Sequence, residues 1–216
     1  MKLQRIKPEQ ARRGRRPAVS ADVLRDAGEI VESVRDRGVG AVRGYAERFG
    51  DAEAGAELVI GRREMRCALD AIDAETRGVL ERVGGRIRAF AEAQRAMYTN
   101  VTTPTPGGEG GHTVEPVLAA GCYAPGGRYP LPSSVVMTAV TARAAGVKRV
   151  VVASPKPTPE MLAAASIADA DEYLCVGGAH AIAARAYGFE GLAPGDVVVG
   201  PGNAWVTAAK QLVMGR

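Results

Sequence analysis

Histidine is almost missing from this chain. Two occur in 216 residues, His112 and His180. Neither is spaced with a second ligand, so no catalytic zinc site of three protein ligands assembles from visible motifs. Cysteine is nearly as rare. Cys67, Cys122 and Cys175 lie far apart, odd in number and without CxxC spacing, which excludes a disulfide scaffold and predicts reduced, mostly buried thiols in a reducing compartment. No histidine stands beside them in a thiol-based signature, so a cysteine nucleophile is not expected. Apolar runs are short, and none approaches the roughly 18 residues that a membrane span requires. The basic N-terminus (Lys2, Arg5, Lys7, Arg12, Arg13, Arg15, Arg16) lacks the apolar core of a secretory signal. A cytoplasmic protein with no membrane partner is the expectation. The common nucleotide fingerprints, GxGxxG after a strand and GxxxxGK[ST], are absent as well.

Aromatics are held to 5%, whereas glycine reaches 27 residues and alanine is plentiful. Small side chains suit close packing of helices on a sheet more than a β-sandwich. Hydrophobic content of 46% and charged content of 24% are those of an ordinary globular chain long enough to bury a core. The net charge of +4 allows weak attraction to anionic ligands. Nucleic-acid binding needs basic residues gathered on one face with a reading element. The one candidate, residues 12–16, reads as a solvated arm, so no nucleic-acid partner is expected.

Along the chain, Val23, Leu24, Ala27, Ile30, Val31 and Val34 recur at helical spacing from Ser20, a plausible N-cap. Gly38 and Gly40 predict a break at 37–40, after which Val42, Tyr45, Ala46 and Phe49 resume and Gly50-Asp51 closes the second helix. An extended piece at 57–60 precedes one long amphipathic stretch from 62 to 97, weakened at Gly84-Gly85. The TNVTTPTPGGEGG segment, 99–111, reads as a linker or hairpin. After it the period changes: strands are predicted at 116–123, 148–153, 172–176 and 196–199, each followed by a helix, at 130–146, 159–170, 179–187 and 204–214. Strands alternating with helices argue for a parallel sheet, and near-continuous valine runs fit strands covered on both faces. The expected fold is therefore α/β: a Rossmann-like domain over 114–216, preceded by a mainly helical region over 1–113.

In such a sheet the strand-to-helix turns emerge on the carboxyl edge, where ligands bind. Four turns qualify, at 123–134, 154–158, 177–180 and 200–203, and three carry paired or near-paired glycines (APGG, GGAH, GPGN). Glycine lets the backbone approach a ligand. Ser133 or Ser134 can cap the helix after the first turn, and its N-terminus would offer unpaired N–H groups to an anion. The pattern predicts a binding rim for an anionic or polar small molecule.

The blocks GCYAPGGRYPLPSSVVM, VKRVVVASPKP, CVGGAHAIAARAYG and VVVGPGNAWVTAAKQLV, in this order and spacing, strongly resemble histidinol dehydrogenases. The segment VESVRDRGVGAVRGYAERFG is similar too, so the resemblance spans most of the chain. It implies NAD-dependent oxidation of L-histidinol through histidinaldehyde to L-histidine, in histidine biosynthesis, by zinc-containing homodimers. The NAD contacts it implies fall on Tyr123, His180 and Asn203, in three of the four rim turns. Read without the resemblance, Tyr123 either fills a strand end with its hydroxyl in water or stacks on or hydrogen-bonds a nucleotide, Asn203 is a helix N-cap, alone or with a ligand contact besides, and His180 is a first-turn histidine.

Two departures stand out. At His180 the family usually carries glutamine, and a neutral imidazole lacks the amide's second donor. The family's chains also continue past GPGNA-x-VT-x-AK into a part that supplies the zinc ligands, the substrate-contacting serine and a glutamate–histidine acid–base pair. No catalytic residue and no metal ligand is therefore assigned in this chain. The resemblance implies the N-terminal, NAD-holding portion of the enzyme, inactive alone. The alternative is an inactive nucleotide-binding or interaction module derived from that family.

Overall fold

The computed structural model describes residues 19–126 and 129–215. The basic arm from Lys2 to Arg16 lies outside them, as do Gly127 and Arg128 of the first rim turn.

Ser20 caps helix α1 (Ala21–Arg37), its hydroxyl accepting the N–H of Val23 at 3.4 Å. Gly38, at φ 54°, breaks the chain for a single residue before α2 (Val39–Phe49), which ends at Gly50 in the left-handed conformation (φ 68°). The expected continuous stretch from 62 to 97 is two helices, α3 (Arg62–Ala71) and α4 (Ala74–Arg95). Asp73 causes the break: it takes extended backbone, and its carboxylate accepts the N–H of Thr76 at 2.8 Å, starting a new helix. Helix α4 runs uninterrupted through Gly84-Gly85. A β carbon on Gly84 would lie 3.1 Å from Ile167, so that glycine serves close helix packing. The polar segment after α4 is a hairpin, β2 (Val101–Thr105) with β3 (Gly108–His112), exposed along its length.

Five strands make the main sheet. These are β1 (Val59–Gly61), β4 (Ala119–Tyr123), β5 (Arg149–Ala153), β6 (Glu172–Leu174) and β7 (Val197–Val199), in the order β1-β6-β5-β4-β7. All neighbours are parallel except β1 and β6, where Val59 faces Leu174. The fold is thus α/β, with helices first and a mostly parallel sheet with interleaved helices after them. The helices of the sheet region are α5 (Pro132–Ala144), α6 (Pro159–Ile167), α7 (Gly178–Tyr187) and α8 (Ala204–Val213).

Alternation along each strand splits the core into two layers. Val151, Ala153 and Leu174 join α1, α2, α7 and α8 on one face. Val150, Val152, Cys122 and Tyr173 join α3 to α6 on the other. Burial on both faces explains the unbroken apolar runs of β4 and β5.

Two boundaries depart from expectation. Neither Ser133 nor Ser134 caps α5; the helix begins at Pro132 with Leu131 as its N-cap and no side-chain cap. Proline's fixed φ is pre-set for the first helical position and draws the start forward. Helix α6 stops at Ile167, and Asp169 turns the chain at φ 57°.

Candidate functional site

In this strand order the chain leaves β4 toward β5 on one side and β7 joins it from the other, so a crevice opens beyond the carboxyl end of β4. Tyr123 is the last residue of that strand. It is buried, and its hydroxyl accepts the N–H of Gly178 at 3.2 Å across the mouth of the β6–α7 turn. The hydroxyl is therefore tied to protein and not released to water. Burial pushes the phenol's pKa up, against the lowering effect of the Gly178 N–H, so Tyr123 stays a neutral hydrogen-bonding group.

His180 lies in the first turn of α7, only 2% exposed, beneath the rings of Tyr45 and Phe49 at centroid distances of 6.0 and 5.7 Å. Its Nε2 is 3.1 Å from Oδ2 of Asp51, and the same oxygen accepts the N–H of Gly177 at 2.8 Å. A carboxylate only accepts, so the bond places a proton on Nε2. In the neutral ring Nδ1 is then a buried acceptor, with no partner among the described residues.

Asn203 precedes α8, and its Oδ1 accepts the N–H groups of Trp205 and Val206, both at 3.1 Å. It is the N-cap that its residue type suggests. The turn before it is pressed onto the sheet: Gly200 has φ 115°, and a β carbon there would stand 1.9 Å from the carbonyl oxygen of Tyr123. Lys210 Nζ donates to the Gly200 carbonyl at 2.6 Å and holds the turn from the far side.

Two rim helices, α7 and α8, have partners for their first N–H groups within the chain, whereas α5, the helix expected to offer such groups, begins with no side-chain cap. Asp51 and Tyr123 take those of Gly177 and Gly178, and Asn203 takes those of Trp205 and Val206. At α7 the position favoured for an anion is filled by the chain's own carboxylate.

Tyr123, His180 and Asn203 all line one cavity of about 400 Å³, together with Phe49, Asp51 and Trp205. A second cavity of about 340 Å³ adjoins it, sharing Phe49, Asp51, Gly126 and Pro155 and adding Ser154 and Lys156. Glycine is required where the turns converge. A β carbon on Gly126 would lie 2.1 Å from the Pro155 ring, and one on Gly177 would lie 2.8 Å from it. All four rim turns thus contribute to the two adjoining cavities.

Sequence reasoning missed Asp51, Phe49 and Trp205. Only Asp51 left a signal: Gly50-Asp51 follows a helix, and the left-handed Gly50 turns the chain back so that the Asp51 N–H bonds Ala46 O at 2.7 Å. The thiols fall largely as expected. Cys122 and Cys175 are buried and Cys67 is exposed, and burial pushes both inner thiols up to about 12. Among the described residues no group of three or more His, Cys, Asp or Glu stands together that could hold a metal ion.

A family model described as histidinol dehydrogenase matches residues 13–216. The histidinol dehydrogenase of Cereibacter sphaeroides is 42% identical over 203 residues, covering 91% of this chain and 46% of that protein. That of Methanopyrus kandleri is 40% identical over 202 residues, covering 90% of this chain and 47% of its relative. The crystal structure of histidinol dehydrogenase from Elizabethkingia anophelis superposes with a TM-score of 0.81 at 26% identity, over 92% of this chain and 47% of that one. The chain spans about half the length of the curated relatives it matches. It belongs to the histidinol dehydrogenase family.

Proposed function

We propose that this chain carries the NAD-holding half of a histidinol dehydrogenase, with the cofactor seated in the crevice beyond β4. The observation that carries this reading is the convergence of Tyr123, His180 and Asn203, from three separate turns, on one cavity. The cavity has the volume of a small-molecule site, within the roughly 300–1,000 Å³ range of such pockets. Phe49 and Trp205 offer apolar ring faces for a planar base, and Asn203, with Oδ1 spent on the helix, keeps its amide N–H groups for a ligand oxygen. The residues present fit a nucleotide.

NAD, when bound, supplies the hydride acceptor for oxidising an alcohol. The chain's own contribution is placement. Tyr123 braces the turn at Gly178, Asn203 fixes the start of α8 and directs its amide outward, and the glycines at 126 and 177 let the walls close on Pro155. Zinc, which the resemblance also implies, finds no ligand set among the described residues.

The test is a calorimetric titration of the 216-residue protein with NAD, beside an assay with L-histidinol, NAD and zinc. Saturable NAD binding without NADH formation is the expected result. Absence of NAD binding sinks the cofactor reading. Robust turnover sinks the reading of the chain as only the cofactor-holding half.

A further inference from the structure

Dinucleotide sites in open α/β sheets commonly place a carboxylate near the end of the second parallel strand, where it accepts hydrogen bonds from the ribose hydroxyls. The second parallel strand here is β5, and it runs into Ser154-Pro155-Lys156 with no acidic residue. The carboxylate in that neighbourhood comes from outside the parallel sheet. Asp51, directly after α2, lines the same cavity as Ser154, Pro155 and Lys156 and also the one that holds Tyr123, His180 and Asn203.

Asp51 is held firmly. Its own N–H bonds Ala46 O at 2.7 Å, and its Oδ2 takes both the Gly177 N–H and the His180 Nε2 proton. Its side chain is only 13% exposed. The other oxygen, Oδ1, has no hydrogen-bond partner among the described residues, and no lysine or arginine among them lies within ion-pair distance of the carboxylate. A fixed carboxylate with one oxygen left over, on the wall shared by two cavities, is an acceptor awaiting donors. It is also a fixed negative charge, which repels a second anion brought beside it.

Building on the NAD reading above, we infer that Asp51 is a specificity-determining residue. Its Oδ1 accepts the ribose hydroxyls of a dinucleotide, and its charge turns away one bearing a 2′-phosphate. Lys156, whose Nζ would stand 3.8 Å from a β carbon on Gly50, next in the chain to Asp51, is the described residue that pulls the other way. The chain therefore poses a contest between one carboxylate and one ammonium, and the hydrogen bonds that immobilise Asp51 favour the carboxylate.

The experiment compares NAD with NADP by calorimetry at one ionic strength, for wild type and Asp51→Asn, with a thermal melt on each. Asparagine keeps an acceptor for Gly177 and His180 and presents an amide donor where Oδ1 was. Wild type is expected to prefer NAD by about tenfold or more, the worth of a hydrogen bond to a charged group. The variant is expected to lose about tenfold in NAD affinity while gaining affinity for NADP. Equal or tighter binding of NADP by wild type overturns the assignment alone, as does an equal loss for both ligands in the variant. Wild type that binds neither ligand overturns the NAD reading, and the assignment falls with it. Should the variant fail to fold, 2′-deoxy-NAD decides the matter on wild type, where about tenfold weaker binding than NAD is expected and unchanged binding refutes the role.

Discussion

Arg185 lies fully buried in a notch that Gly121 leaves open in β4: a β carbon at 121 would stand 3.0 Å from Arg185 Nε. Its Nη1 donates to Ala193 O at 2.8 Å, while Nε and Nη2 have no partner among the described residues. Burial lowers the guanidinium's pKa well below its ordinary value, to about 10, with Glu172 acting against the fall. For a base whose folded pKa is depressed, the cost is present in full below the folded value and fades as pH rises from about 10 toward the ordinary value. At neutral pH it is of the order of 3 kcal/mol.

Arg185→Met keeps the aliphatic bulk and removes the stranded charge. It is expected to stabilise the fold by about 1–3 kcal/mol, a Tm rise of roughly 3–10 °C for a chain of this size. Gly121→Ala should destabilise wild type, because the added β carbon would stand 3.0–3.2 Å from Nε, Cγ and Cβ of Arg185. Scanning calorimetry of the two variants checks both statements, and a Gly121→Ala variant as stable as wild type contradicts the contact.

Asn203 has two separable jobs. Asn203→Ala removes the cap and is expected to cost about 1 kcal/mol of stability. Asn203→Asp keeps an oxygen for Trp205 and Val206 and suits the positive end of α8. It removes the amide donor that the cavity would use, so it should hold Tm while weakening NAD binding by about fivefold to tenfold. Melting curves paired with NAD titrations separate cap from contact, and equal NAD affinity for wild type and Asn203→Asp assigns Asn203 to the helix alone.

The thiols are expected to divide by depth. Cys67 is exposed on α3, whereas Cys122 and Cys175 are buried and held protonated by burial, up to about 12. An aromatic disulfide reagent should titrate one thiol in the native protein and all three after denaturation. Rapid loss of a second thiol under native conditions would show that β4 or the end of β6 opens.

Features that local chemistry decides were legible in the sequence. The valine run of β5 announces burial on both faces, although the similar run of β7 lies half-exposed at the sheet edge, and Ser20, Gly38, Gly50 and Asn203 act where their residue types predict. The break at Asp73 was hidden because Ile72, Val79 and Leu80 keep an apolar stripe running across it, so periodicity alone shows one helix. The three-residue β1 read as an extended piece, but nothing local showed that it pairs antiparallel with β6. In the site, the rim turns were legible from their glycines. The Asp51–His180 contact was not, because it spans 129 positions and depends on how α2 packs over α7.

That same packing sets a timetable for the chain. Ile30, Val31 and Val34 of α1 are covered by helices α7 and α8, which lie near the other end of the sequence. During synthesis the apolar face of α1 must wait about ten seconds or more for α7 and α8 to arrive. The protein thus leaves that hydrophobic surface on loan to the solvent, or to a chaperone, until the turns before α7 and α8 exist. Mutations that delay α7 should then show themselves first as aggregation of nascent chains and only later as lost binding.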